Sequence, residues 1–102
     1  MVKFTVQTDL PSEVYAFTED DRYGLGLLLS EYVAMDEWKA ETIHNAVYKV
    51  AEDAGMNAKK IFTALYLAIL GQARGPRLGW FLEALGEEFV TQRITDAVNA
   101  GA

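Results

Sequence analysis

Ala64–Leu70 is an unbroken run of seven apolar residues, set between Asn57 and Gly71. Around it Ile61, Phe62, Leu65, Tyr66 and Ile69 recur at helical spacing, which predicts a helix over roughly 58–70 that is apolar on several sides. Asn57 suits its N-cap and Gly71 its C-terminal stop. A helix of this kind cannot stand at a surface, so the rest of the chain has to wrap it with other amphipathic elements. Seven residues are far short of the roughly 20 that cross a membrane. Leu65, in the middle of the run, is expected to be core, and its truncation to alanine to cost about 2–5 kcal/mol.

The flanking sequence supplies the wrapping. Thr18 followed by Glu19, Asp20 and Asp21 reads as a helix start, with a capping hydroxyl and acids at the positive end of the dipole. Leu25, Leu28, Leu29, Tyr32 and Val33 continue it at helical spacing, although Gly24 and Gly26 weaken its first turns. A second helix is expected over roughly 39–54, with Ile43, Val47, Val50, Ala51 and Ala54 inward and Gly55 as its stop. Pro76 fits a first helical turn, so a fourth helix is expected over roughly 76–85 with Leu78, Phe81, Leu82 and Leu85 inward. Glu87 and Glu88 open a fifth after Gly86, with Phe89, Val90, Ile94 and Ala97 inward. Val2, Phe4 and Val6 alternate before Pro11 in the manner of a short strand or a linker stub. The expectation is an all-α, compact bundle of about five helices over 18–102, preceded by a linker or irregular segment over 1–17.

At 102 residues the chain fits one domain able to bury a core without staples. It contains no cysteine, which excludes disulfides, zinc-thiolate sites and thiol nucleophiles. The first residues carry no apolar signal-peptide core, and the expectation is a soluble, cytoplasmic domain with no membrane contact.

The formal net charge of −6 disfavours a general nucleic-acid binder. The charge is uneven, however. Residues 1–51 hold four basic and nine acidic side chains, whereas 52–102 hold five and six. Within the second half, Gly55 to Leu82 contains Lys59, Lys60, Arg74 and Arg77 and no acid. Such a stretch is either a solvated face or a local anion-binding surface.

Catalytic chemistry is missing. His44 is the one histidine; it lies beside an apolar stripe, one turn before Tyr48, and reads as a structural or surface residue. The acidic pairs fall at helix starts, where they serve the dipole, and no metal site is expected. No glycine-rich phosphate loop follows a strand. No catalytic residue is assigned.

The segment Arg74 to Trp80 stands out. Two arginines flank Gly75 and Pro76 at an expected helix N-terminus, where free amides and the dipole favour an anion. Guanidinium groups fork onto phosphate or stack on bases, and Trp80, one turn on, offers a stacking face of the kind that binds single-stranded RNA. The bland alternative is a rigid interhelix turn, with the arginines bridged to Glu83 or Glu87 and Trp80 in the core.

Ile61–Arg93 reads IFTALYLAILGQARGPRLGWFLEALGEEFVTQR. Its ALYLAILG helix, GPRLG turn and LGEEFVTQR segment, in that order, resemble the C-terminal anticodon-binding region of class I, archaeal-type lysyl-tRNA synthetases. AETIHNAVYKVAEDAG, after Trp38, matches in style. The resemblance implies a helical anticodon-binding domain whose partners are a lysine-type tRNA and the catalytic domain of the same synthetase. That other domain would handle ATP and magnesium, with no cofactor in this chain, and its histidine-rich and lysine-rich signatures are absent here. The chain would then be an excised domain or a freestanding relative, non-catalytic by itself, within an ATP-dependent lysine–tRNA ligase. Chemistry and position nominate Arg74, Arg77, Trp80, Lys59 and Lys60 as RNA-binding. Lys39 stands where a small hydroxylated cap would be expected, so the start of its helix is open. Two other readings compete: a helical protein-interaction or dimerisation module without RNA binding, and a glutamyl-type anticodon domain.

Overall fold

The computed structural model describes residues 9–100. The alternating residues 2–6 lie outside the described residues. A short 3-10 helix, Ser12–Ala16, is followed by five α-helices: α1 Glu19–Val33, α2 Ala40–Ala54, α3 Ala58–Leu70, α4 Leu78–Leu85 and α5 Glu87–Asn99. No strand occurs among the described residues, and the all-α bundle is as expected.

Local chemistry accounts for most of the boundaries. The Thr18 hydroxyl accepts from the Asp21 amide at 3.2 Å, and the Asp21 carboxylate accepts from the Thr18 amide at 2.9 Å. This reciprocal pair satisfies two orphan donors at the start of α1. The Asn57 side chain accepts from the Lys59 amide at 2.9 Å and begins α3. Gly55 and Gly71 end α2 and α3 at φ of 66° and 71°, a conformation that costs glycine nothing. Lys39 is the N-cap of α2 and makes no side-chain cap. A carboxylate from α4 takes its place: Glu83 Oε2 accepts from the Ala40 amide at 2.9 Å.

The core gathers around α3, where Ile61, Ala64, Leu65, Ala68, Ile69 and Leu70 are buried; Leu65 has no exposed surface. From the other helices Leu25, Leu28, Tyr32, Ile43, Val47, Leu82, Val90 and Ile94 meet it. Helix α2 packs on α4, and α1 on α5. Gly24 lets α1 approach α3: a Cβ there would lie 3.2 Å from Ile61 Cγ1 and from Met56 Cε. The glycine that weakens the helix locally thus serves its packing. Tyr32 is buried and donates to the Ile43 carbonyl at 3.0 Å, while Trp38 Nε1 donates to the Leu82 carbonyl at 3.0 Å. Both bonds satisfy polar groups that burial would otherwise leave unpaired.

Three expectations need correction. Residues 12–16 are helical rather than irregular, and Val14 of that turn is buried in the core. Val33, counted in the α1 stripe by spacing, is 64% exposed, because the buried face is that of Leu25, Leu28 and Tyr32 and Val33 lies about 100° round the helix from Tyr32. Helix α4 begins at Leu78 with Arg77 as its cap, so Pro76 precedes the helix instead of starting it. The reason is tertiary: the Tyr66 hydroxyl donates to the Pro76 carbonyl, and that bond holds the connection against α3.

Candidate nucleic-acid interface

The connection from α3 to α4, residues 71–77, folds back along α3 instead of leading away from it. Gly75 makes this path. A Cβ at that position would lie 2.6 Å from Leu70 Cδ1 and 2.7 Å from the Tyr66 ring, closer than side chains tolerate. Gly79, at the start of α4, makes the next step, since a Cβ there would lie 2.2 Å from the Ala40 carbonyl oxygen. The two glycines of the GPRLG segment therefore set the connection onto α3 and α4 onto the start of α2.

Two neighbouring hollows result, sharing Phe62, Tyr66 and Gly75 in their walls. The first, of about 520 Å³, is bounded by His44 of α2 and by Arg77 and Trp80. The second, of about 740 Å³, is bounded by Tyr48, Lys59 and Arg74. Glu41 is the one acid in either wall. Three cations thus surround a largely apolar and aromatic surface in an otherwise acidic protein.

The nominated residues separate as follows. Trp80 is 64% exposed, which removes it from the core and leaves its indole available. The Arg77 guanidinium carbon lies 5.2 Å from the Trp80 ring centroid, so cation and ring present one combined face. Neither Arg74 nor Arg77 forms an ion pair among the described residues. The bridges to Glu83 or Glu87 are not formed, and Glu83 is occupied by the Ala40 amide. Lys59 and Arg74 both border the second hollow, because the connection folds back over Tyr66 instead of leading away from α3. Lys60 stands apart. Its ammonium lies 3.6 Å from Asp20 of α1, and it borders a different hollow with Phe17 and Asp21.

Sequence reasoning passed over part of this surface. His44, Tyr48 and Phe62 form a ring cluster with centroid separations of 5.3–5.5 Å. Phe62 and Tyr66, expected in the core stripe, are only half-buried. The available signal was the pair of aromatic rings at 44 and 48, one turn apart on a single helix face. Arg93 was also passed over. It is 5% exposed, its Nη1 donates to the Ala68 carbonyl at 3.0 Å, and its guanidinium lies 5.0 Å from the Phe89 ring. Burial holds its pKa below the usual arginine range. It completes hydrogen bonds at the end of α3, a structural role.

Among the described residues no cluster of histidine and acidic side chains could hold a metal ion, and no helix is long and apolar enough to cross a membrane.

Comparison with known proteins supports the reading drawn from the GPRLG and LGEEFV segments. A lysine–tRNA ligase of Archaeoglobus fulgidus is 36% identical over 94 residues, covering 91% of this chain and 19% of that protein. The lysine–tRNA ligase of Methanocaldococcus jannaschii is 32% identical over 90 residues, covering 88% of this chain and 17% of that protein. The chain spans about a fifth of the length of these curated relatives. In fold it is similar to a glutamate tRNA ligase from Elizabethkingia meningosepticum, with a TM-score of 0.79 over 96% of this chain and 20% of that one, at 22% identity. The family model described as an anticodon binding domain matches residues 1–98, and the chain belongs to the anticodon-binding domain family.

Proposed function

We propose that this chain is the anticodon-binding part of a class I lysine–tRNA ligase. It holds the anticodon loop of a lysine-type tRNA while a separate catalytic domain of the same ligase, with its ATP and magnesium, charges the RNA in the cytoplasm. The observation that carries the reading is the surface at the α3–α4 connection, where Arg77 and the exposed Trp80 border one aromatic hollow and Lys59 and Arg74 border the adjoining one. Cations beside stacking faces bind unpaired nucleotides whatever the overall charge, since phosphate neutralisation is local. Arg74 and Arg77 contact the loop, Lys59 adds to the field, and Lys60, held by Asp20, contributes less. The lysine-type assignment rests on sequence likeness, because the glutamate ligase shares the fold at an identity that carries no specificity.

The test is filter binding of the chain to lysine tRNA at several salt concentrations, wild type against Arg74→Ala and Arg77→Ala, with circular dichroism as a check on folding. A phosphate-contacting arginine weakens binding to all sequences and flattens the salt dependence by about one contact. A base-reading arginine instead relaxes anticodon discrimination by roughly 1–3 kcal/mol. Folded variants with wild-type affinity, salt slope and anticodon preference would make the turn purely structural.

A further inference from the structure

We propose that the ring cluster of His44, Tyr48 and Phe62 is a second stacking surface, which seats an unpaired RNA base adjacent to the one held at Trp80. The proposal rests on the anticodon-binding reading and adds to it a distinct set of residues on α2 and α3.

The geometry is that of a fixed ledge. The His44 and Tyr48 rings meet at 5.3 Å and 63°, His44 and Phe62 at 5.4 Å, and Tyr48 and Phe62 at 5.5 Å and 68°. Each ring is braced by the other two, so little conformational freedom remains to be lost when a base is bound. The ledge is open, because Tyr48 is 52% exposed. Packing alone does not explain an exposed tyrosine whose ring closes a cluster at the border of two hollows.

Position decides what the ledge would bind. It lies between the two hollows: His44 and Phe62 line the one that reaches Arg77 and Trp80, while Tyr48 and Phe62 line the one that reaches Lys59 and Arg74. A ligand bridging both carries aromatic faces and negative charge in alternation. Single-stranded RNA has that pattern, with a base and a phosphate at every step. A peptide ligand would need acidic and aromatic residues in the same alternation. With one base at Trp80 and the next on the ledge, Arg77 is the cation for the intervening phosphate, since it contacts the Trp80 ring and lines the same hollow as His44 and Phe62.

The experiment uses a hairpin RNA with the sequence of the lysine-tRNA anticodon stem and loop, carrying 2-aminopurine at one loop position at a time. Anisotropy reads affinity, and 2-aminopurine fluorescence reads stacking. The wild-type chain is expected to quench at least one loop position that Tyr48→Ala no longer quenches. Tyr48→Ala is expected to weaken binding roughly 5- to 150-fold, the range for losing one stacked base. Tyr48→Phe, which keeps the face, should bind within about twofold of wild type. Tyr23→Ala serves as the control, since Tyr23 is 58% exposed on α1 and lines neither hollow. If Arg77→Ala weakens binding while folded Tyr48→Ala keeps wild-type affinity and quenching, the ledge is overturned and the anticodon-binding reading stands. If the wild-type chain does not bind the hairpin, both are overturned.

Discussion

The Glu83 carboxylate accepts a hydrogen bond from the Ala40 amide at 2.9 Å, so the start of α2 is capped from α4, 43 residues away in sequence. The residue at the cap position, Lys39, has no acceptor in its side chain. The contact also ties the two helices that flank the first hollow. Glu83→Ala is expected to lose about 0.5–2 kcal/mol, the usual worth of an N-cap. Thermal unfolding checks this, with the midpoint falling by several degrees per kcal/mol for a domain of this size. Glu83→Gln keeps an acceptor and should recover part of the loss. An unchanged midpoint in Glu83→Ala would show that the cap contributes nothing.

Two glycines in α-helices predict opposite outcomes for the same substitution. Gly26 has nothing within 4 Å of where a Cβ would stand, so Gly26→Ala is expected to stabilise the protein by about 0.5–1 kcal/mol through helix propensity. At Gly79 a Cβ would lie 2.2 Å from the Ala40 carbonyl oxygen and 2.9 Å from its carbon. The neighbour there is backbone and cannot swing aside. Gly79→Ala is expected to destabilise by about 1–3 kcal/mol despite the same propensity gain. Urea unfolding of the two variants distinguishes them, and a stabilised Gly79→Ala would contradict the close packing of α4 on α2.

What the sequence made legible was governed by neighbours along the chain. Thr18, Asn57, Gly55 and Gly71 act within one turn of themselves, and the apolar run at 64–70 could only be central. Contacts across the fold were not legible. Pro76 has the chemistry of a first helical residue, but Tyr66, ten residues earlier, holds its carbonyl outside the helix. Spacing set Phe81 in the inward stripe with Leu78, Leu82 and Leu85 and left Trp80 out of it, and the seating of Gly79 on Ala40 fixes that rotation of α4. That Lys59 and Arg74 border one hollow was likewise not legible, because it depends on Gly75 letting the chain double back on Tyr66. The spacing of His44 and Tyr48 hinted at a pair of rings but not at the third, since Phe62 joins them from another helix.

Alkaline pH is expected to destabilise the fold through Tyr32. Burial pushes its pKa well above the ordinary tyrosine value of 10.0. Below about pH 10 the residue is neutral in both folded and unfolded chains and adds no pH dependence. Above it, the unfolded chain releases the proton while the folded chain keeps it, so the unfolded state binds fewer protons and stability falls with rising pH. The slope approaches about 1.4 kcal/mol per pH unit for a single group. Tyr32→Phe loses the bond to Ile43 and should be less stable at pH 7, yet its stability should fall less steeply from pH 10 to 11.5. Denaturant titrations across that range compare the slopes, and equal slopes would remove Tyr32 as the cause.

Trp80 separates stability from binding. Its indole is 64% exposed and is stacked by the Arg77 guanidinium at 5.2 Å, so its removal leaves no core cavity. Trp80→Ala is expected to change stability by no more than about 0.5–1 kcal/mol, as for other surface sites. The same change should weaken binding to lysine tRNA by about 1–3 kcal/mol if the ring stacks on a base. Trp80→Phe keeps a smaller face and should fall between. Arg77→Ala in the Trp80→Ala background then tests coupling. If guanidinium and indole act as one surface, the double variant binds better than the two single losses summed would allow. Urea unfolding and filter binding at one fixed salt concentration supply all four values. A Trp80→Ala protein that loses several kcal/mol of stability but binds tRNA normally would return the indole to a packing role.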